Sequence, residues 1–179
     1  MALIGLAGSP AAATPARPEA SRPAGVTARP ASPEAEFLIA VHQGNLAQIA
    51  AGKLAAHRSE NRTVRRLGKR FATYHKKLDA QVKQVAAALD VRLPKEPNSE
   101  QLDLAGQYRA AAAADFDTLF INTQLSGYER AAKIARLVLA VSSDPAIAKI
   151  VATVTPVIEE NRLALTAARD QLAREQRRQ

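Results

Sequence analysis

Three polar side chains interrupt rows that are otherwise apolar or small at helical spacing. Gln48 continues the row of Val41, Gly44 and Ala51, His75 lies between Phe71 and Leu78, and Asn161 lies between Ile158 and Leu165. Tyr128 stands at the edge of a further row, one residue past Gly127. On facing helices, an imidazole, two carboxamides and a phenol can hold a ligand or metal ion, or they can hydrogen-bond to one another and fix helix register. Buried polar groups cost about 1 to 3 kcal/mol each unless paired, so such a layer requires one of these two explanations. The hydrogen-bonded cluster is preferred, because no carboxylate lies in the layer and a lone imidazole holds a transition metal poorly. A metal site built there would use His75, with Gln48, Tyr128 and Asn161 around it.

The remaining chemistry-bearing residues carry less. His42 falls one step from the first row, and His57 sits near a helix end where a partly cationic imidazole suits the dipole, so neither is expected to be a ligand. Arg58, Arg62, Arg65, Arg66, Lys69, Arg70, Lys76 and Lys77 form the densest run of charge. Its density at the start of a helix opposes the dipole. Arg62, Arg65, Arg66, Lys69 and Arg70 are therefore the residues to test for contact with phosphates, anionic lipid or envelope polymer. The plainer expectation is a solvated face with some pairing to Asp79, Glu159 or Glu160. Ser, His and Asp are present, yet there is no nucleophile elbow, phosphate loop or paired zinc ligands. No catalytic residue and no cofactor is expected.

The elements that must position these residues read as helices. Ser32 is a good N-cap, followed by Pro33 at the first helical position and acidic Glu34 and Glu36 near the positive dipole end. The first helix carries Phe37, Val41, Gly44, Ile49, Ala51 and Ala55 and ends near His57. A second, from about Asn61 to Leu89, has the most regular seam: Val64, Leu67, Phe71, His75, Leu78, Val82, Val85 and Leu89. Pro94 and Pro97 make Asp90–Asn98 a connection, and Asn98 with Gln101 has the spacing of a capping box opening a short helix through Tyr108. A long helix over about Asp115–Val141 follows, then a turn with Asp144 as N-cap and Pro145 at the first position of the last helix. Pro156 inside that helix predicts a kink.

Counted out from the two tight turns, Gln48 and His75 lie roughly eleven and sixteen residues deep, and Tyr128 and Asn161 roughly fifteen and eighteen. At about 1.5 Å per residue all four fall near mid-bundle. The architecture expected is an all-α antiparallel four-helix bundle with a short extra helix in the crossover. Residues 33–179 form the bundle domain. Residues 1–32, rich in Ala and Pro, form a disordered arm, since prolines at 10, 15, 18, 23 and 30 forbid a continuous helix there.

Composition agrees. The chain has 179 residues, 47% hydrophobic but only 4% aromatic, which suits thin, closely packed Ala-rich helices. The absence of cysteine excludes a disulfide-stapled miniprotein and a cysteine-ligated zinc or iron–sulfur site. The net charge of +8 favours polyanionic partners, an anionic envelope polymer or lipid rather than nucleic acid. Ala2–Ala7, reading ALIGLA, with the small residues Ala11–Ala13 behind it, reads as the remnant of an export signal, so a periplasmic or extracellular location is expected. No apolar run reaches the ~18 residues of a membrane span.

Four stretches carry a family resemblance: FLIAVHQGNLAQIAAGKLA from Phe37, RFATYHKKLDAQVKQVAAALDVRLP from Arg70, FDTLFINTQLSGYERA from Phe116 and TPVIEENRLAL from Thr155. The chain resembles the exported bacterial family numbered four-one-four-two among domains of unknown function, catalogued as outer-membrane proteins and given a ferritin-like bundle. The resemblance spans about Phe37–Leu172. It implies Glu at the position of Gln48, an Asp-His pair at Tyr74 and His75, and His at the positions of Tyr128 and Asn161. Only His75 is kept, so a metal or ligand site of that kind would here lack its anionic and most of its imidazole groups. The function expected is a non-enzymatic envelope structural or binding module. The alternatives are a metal-binding or oxidase protein with a degenerate site around His75, and a polyanion-binding module acting through the basic second helix.

Overall fold

A computed structural model of the chain describes residues 32–178. The readings of the preceding residues as export signal and disordered arm fall outside the described residues. Within them the chain is an all-α bundle of five helices: α1 (Pro33–Arg58), α2 (Arg62–Ala88), α3 (Ser99–Ala110), α4 (Ala113–Val141) and α5 (Pro145–Gln176).

Local chemistry sets most of the boundaries. The Ser32 side chain accepts from the Ala35 amide at 3.2 Å, and Pro33 occupies the first turn. Asn61 Oδ1 accepts from the amides of Thr63 and Val64, and Asp144 Oδ1 from those of Ala146 and Ile147. Asn98 and Gln101 form a complete capping box, with bonds of 2.9 and 3.0 Å. By contrast α4 starts at Ala113 without a side-chain cap, two residues earlier than Asp115 suggests, and α5 runs through Pro156 as one helix.

Short turns make α1 with α2, and α4 with α5, into antiparallel hairpins, and each helix packs most extensively on its hairpin partner. Small residues allow α1 and α2 a very close approach. A Cβ on Gly52 would stand 2.6 Å from the Gly68 carbonyl oxygen, and one on Gly68 would stand 2.6 Å from that of Gly52. The hairpins close around a core that includes Phe71, Phe116, Phe120, Ile147 and Leu165, each nearly inaccessible to solvent. Burying a side chain of that size stabilises the fold by roughly 1.5 to 3 kcal/mol.

The α2 seam is buried as expected from Val64 to Val82, while Leu89 at its end is exposed. The α1 stripe requires a correction. Its buried face holds Phe37, Leu38, His42, Asn45, Ala51, Gly52 and Ala55, and Gln48 is only half-buried. Ala and Gly occur on every side of α1, so its apolar periodicity does not define a face.

The crossover helix α3 packs on α1 and α4. It is fastened by Arg58, whose Nη1 donates to the carbonyls of Tyr108 (2.6 Å) and Arg109 (2.7 Å) and whose Nη2 donates to that of Ala111. The same guanidinium lies 5.3 Å from the centre of the Phe116 ring. One cation thus satisfies carbonyls left free at the end of α3 and stacks on the core beneath.

Candidate functional site

At mid-bundle the polar side chains form a directed chain of hydrogen bonds. Arg70 can only donate, so its bond to Asn161 fixes the amide with Oδ1 toward the guanidinium. Asn161 Nδ2 then donates to the Tyr128 hydroxyl at 2.9 Å. The Tyr128 proton finds its acceptor in His75 Nε2 at 3.1 Å, which leaves the proton of the neutral imidazole on Nδ1, donating to Asn45 Oδ1 at 2.8 Å. Every proton is placed, and the chain ends on the Asn45 amino group, which has no partner. Burial holds the imidazole in its neutral form, lowering its pKa to about 4, and pushes the Tyr128 phenol up.

Beside this chain lies a cavity of about 240 Å³, walled by all five helices. Most of its lining is aliphatic: Val41, Leu78, Leu104, Ile134, Val154 and Ile158 are among the residues. Four buried polar atoms of the lining side chains have no hydrogen-bond partner: Asn45 Nδ2, Gln48 Oε1, Tyr74 OH and Gln124 Oε1. The orientation of Gln124 follows from its neighbours. Thr123 donates to the Leu119 carbonyl at 2.7 Å, Tyr108 donates to Thr123, and Gln124 Nε2 donates to the Tyr108 hydroxyl at 3.2 Å. What remains of Gln124 is a free acceptor. Asn45 and Gln124 are only 2% and 3% exposed, so bulk water does not satisfy them.

The structure brings His75, Tyr128 and Asn161 together, and Gln48 lines the cavity with the first two. Asn45 and Gln124, which line the same cavity, gave no signal in the sequence: Asn45 sits one residue past Gly44 of the first row, and Gln124 lies on no row read there. As a metal site the donor set fits poorly. Both nitrogens of its single imidazole are occupied by Asn45 and Tyr128, and no carboxylate joins them. Among the described residues no group of three His, Cys, Asp or Glu could hold a metal ion.

The basic residues divide into two sets. Arg65 donates to the carbonyls of Ser59 (2.9 Å) and Glu60 (2.7 Å) and so holds the α1–α2 turn, while Arg70 pairs with Glu160 at 3.0 Å and reaches Asn161. Arg62, Arg66 and Lys69 are exposed on α2. His57 is exposed near the end of α1.

His42 belongs to a second buried cluster. Its Nδ1 lies 2.6 Å from Asp79 Oδ1, and its Nε2 donates to the Pro94 carbonyl at 2.9 Å. Lys83 closes the other Asp79 oxygen at 2.8 Å. The cluster ties α1 to α2 and to the connection leading into α3.

The neutral His75 has a measurable consequence. Its ordinary pKa of 6.5 falls to about 4 in the folded chain, so between these values the unfolded chain binds a proton that the folded one does not. This group's contribution is fully present above pH 6.5 and is lost as the pH falls toward 4. In urea melts, the stability of the wild type should drop between pH 6.5 and 4.5 by about 2 to 3 kcal/mol more than that of His75→Gln. Parallel profiles for the two proteins would contradict a buried neutral imidazole.

No helix among the described residues is long and apolar enough to cross a membrane. A family model described as "Domain of unknown function (DUF4142)" matches residues 19–167, beginning before α1 and ending within α5. Neither the curated proteins nor the solved structures compared with the chain contain a match.

Proposed function

The chain belongs to the family of that description, DUF4142, and we propose that this member is a non-enzymatic binding module of the cell envelope. The observation that carries the reading is a cavity of about 240 Å³ at mid-bundle, lined mostly by apolar residues with His75, Tyr128 and Gln48 among them. Small organic ligands bind in concave, mostly apolar clefts with a few polar groups in the lining, and this cavity has that composition. The imidazole is neutral and bonded on both sides, so the layer supports positioning of a ligand rather than acid–base or metal chemistry. Two hairpins joined by one long crossover support the ferritin-like form of the bundle. The apolar stretch Ala2–Ala7 with Ala11–Ala13 behind it supports an exported location.

Two measurements test this. Purified protein should carry no stoichiometric iron, manganese or zinc; metal at one per chain that disappears in His75→Ala would replace the module by a metalloprotein. In an amide-resolved spectrum, neutral organic fragments should shift the Gly44 and Gly127 signals, since both residues line the cavity. A fragment set that leaves both unmoved would remove the binding function.

A further inference from the structure

We propose that the cavity takes a single-chain anionic amphiphile, with the hydrocarbon chain inside and a carboxylate head at the mouth on Arg130. The proposal rests on the binding-module reading above and goes beyond it in naming the ligand class. The lining separates by character. Its interior is aliphatic, with Val41, Leu78, Leu104 and Val154 around it, whereas the lining residues exposed to solvent are Ala40, Arg130 and Ile134. The mouth therefore lies beside α4, and a cation stands at it. Among the described residues no carboxylate lines the cavity, and His75 is neutral, so Arg130 is its one charged side chain. Arg130 Nη1 lies 3.2 Å from Glu100 Oε1 on α3, with the two side chains 62% and 74% exposed. An exposed pair of this kind contributes little, so a ligand carboxylate can take the place of Glu100, and a guanidinium suits a carboxylate through two parallel hydrogen bonds. Lys133, exposed one turn further along α4, adds positive potential at the same place.

Shape and size follow from the lining. It runs from Ala40 to Ala51 on α1 and from Thr123 to Ile134 on α4, roughly 16 Å of each helix at about 1.5 Å per residue. A volume of about 240 Å³ over that length gives a mean cross-section of roughly 15 Å², which suits one extended methylene chain. A cavity of roughly 150 Å³ accepts benzene, so about 240 Å³ holds about ten carbons. Gly44 lines this run, and a Cβ built on it meets nothing within 4 Å, so a leucine there has room to fill part of the chain's path.

Octanoate, 1-octanol and benzamide, each titrated into the full chain at neutral pH while the Gly44 and Gly127 amides are followed, test the assignment. Octanoate should bind at least about threefold more tightly than 1-octanol, which has the same chain and no charge. Arg130→Gln should remove that difference and leave 1-octanol unchanged, while Glu100→Gln should raise octanoate affinity, because Arg130 then has no competing carboxylate. From hexanoate to decanoate the affinity should rise about threefold or more per added methylene, and it should level off in longer acids once the cavity is full. Gly44→Leu should abolish octanoate binding with the cooperative melt retained. Equal binding of octanoate and 1-octanol, octanoate affinity that ignores both charge variants, affinity that climbs without levelling along the series, or undiminished binding to Gly44→Leu would each overturn the anionic amphiphile. The binding module stands in those cases wherever 1-octanol or benzamide still shifts the two amides. If none of the three compounds perturbs them, both fall together.

Discussion

Gly68→Leu should cost about 3 kcal/mol or more and bring the chain to the edge of unfolding, the largest effect expected of any single substitution at a glycine. A Cβ at this position would lie 2.6 Å from the Gly52 carbonyl oxygen, 2.9 Å from the Ala56 nitrogen and 3.0 Å from the Ala55 Cβ. Two of those three neighbours are backbone atoms, so no rotamer change relieves the overlap and α1 must move away from α2. That movement would also separate Asn45 from His75, since they sit on these two helices. Gly44→Ala provides the control on the same hairpin. Open space surrounds its Cβ position, and replacing a mid-helix glycine by alanine gains about 0.5 to 1 kcal/mol. Thermal and urea melts of the two variants should therefore move in opposite directions. A Gly68→Leu protein as stable as wild type would mean that the α1–α2 packing is looser than described.

Asp79→Ala should cost about 3 to 5 kcal/mol, because it strips the partner from a buried imidazole whose other nitrogen already faces a carbonyl. His42 and Asp79 side chains are only 4% and 6% exposed, which leaves little solvent to take over. The expected loss reflects an uncompensated buried polar group more than the value of the pair. Replacing both residues by leucine should recover much of it, since apolar substitutes of similar volume commonly match a buried ion pair. The cluster also holds the connection into α3 through the Pro94 carbonyl, and Gln43 adds a bond to the Glu96 carbonyl at 3.3 Å. Asp79→Ala should thus weaken probe binding in the cavity even at temperatures where the bundle is folded, as α3 supplies part of its wall. Full stability in the single variant would show that the pair is not closed in solution.

These features differ in how far the amino-acid order announces them. Caps are local, and Ser32, Asn61, the Asn98–Gln101 box and Asp144 all act where their side chains can reach a nearby amide. The row on α2 stands out because charged residues separate the apolar ones, and its positions from Val64 to Val82 are buried accordingly. On α1 the contrast is absent: alanines and glycines pack on any side, so His42 and Asn45 turn inward where Gln48 was expected. His42 and Asp79 stand 37 residues apart, and nothing local to either marks the pairing. Arg58 and Arg65 read as part of a solvated run, yet they serve carbonyls at the end of α3 and in the α1–α2 turn. The polar layer was legible through His75, Tyr128 and Asn161. The cavity beside it arises from how five helices close, and no periodicity encodes that space.

A crystal structure of the full chain with benzamide addresses the central claim most directly. The ring should lie among Val41, Leu78 and Ile158, which line the cavity. A cavity filled by ordered water alone, with benzamide absent at saturating concentration, would contradict the binding module.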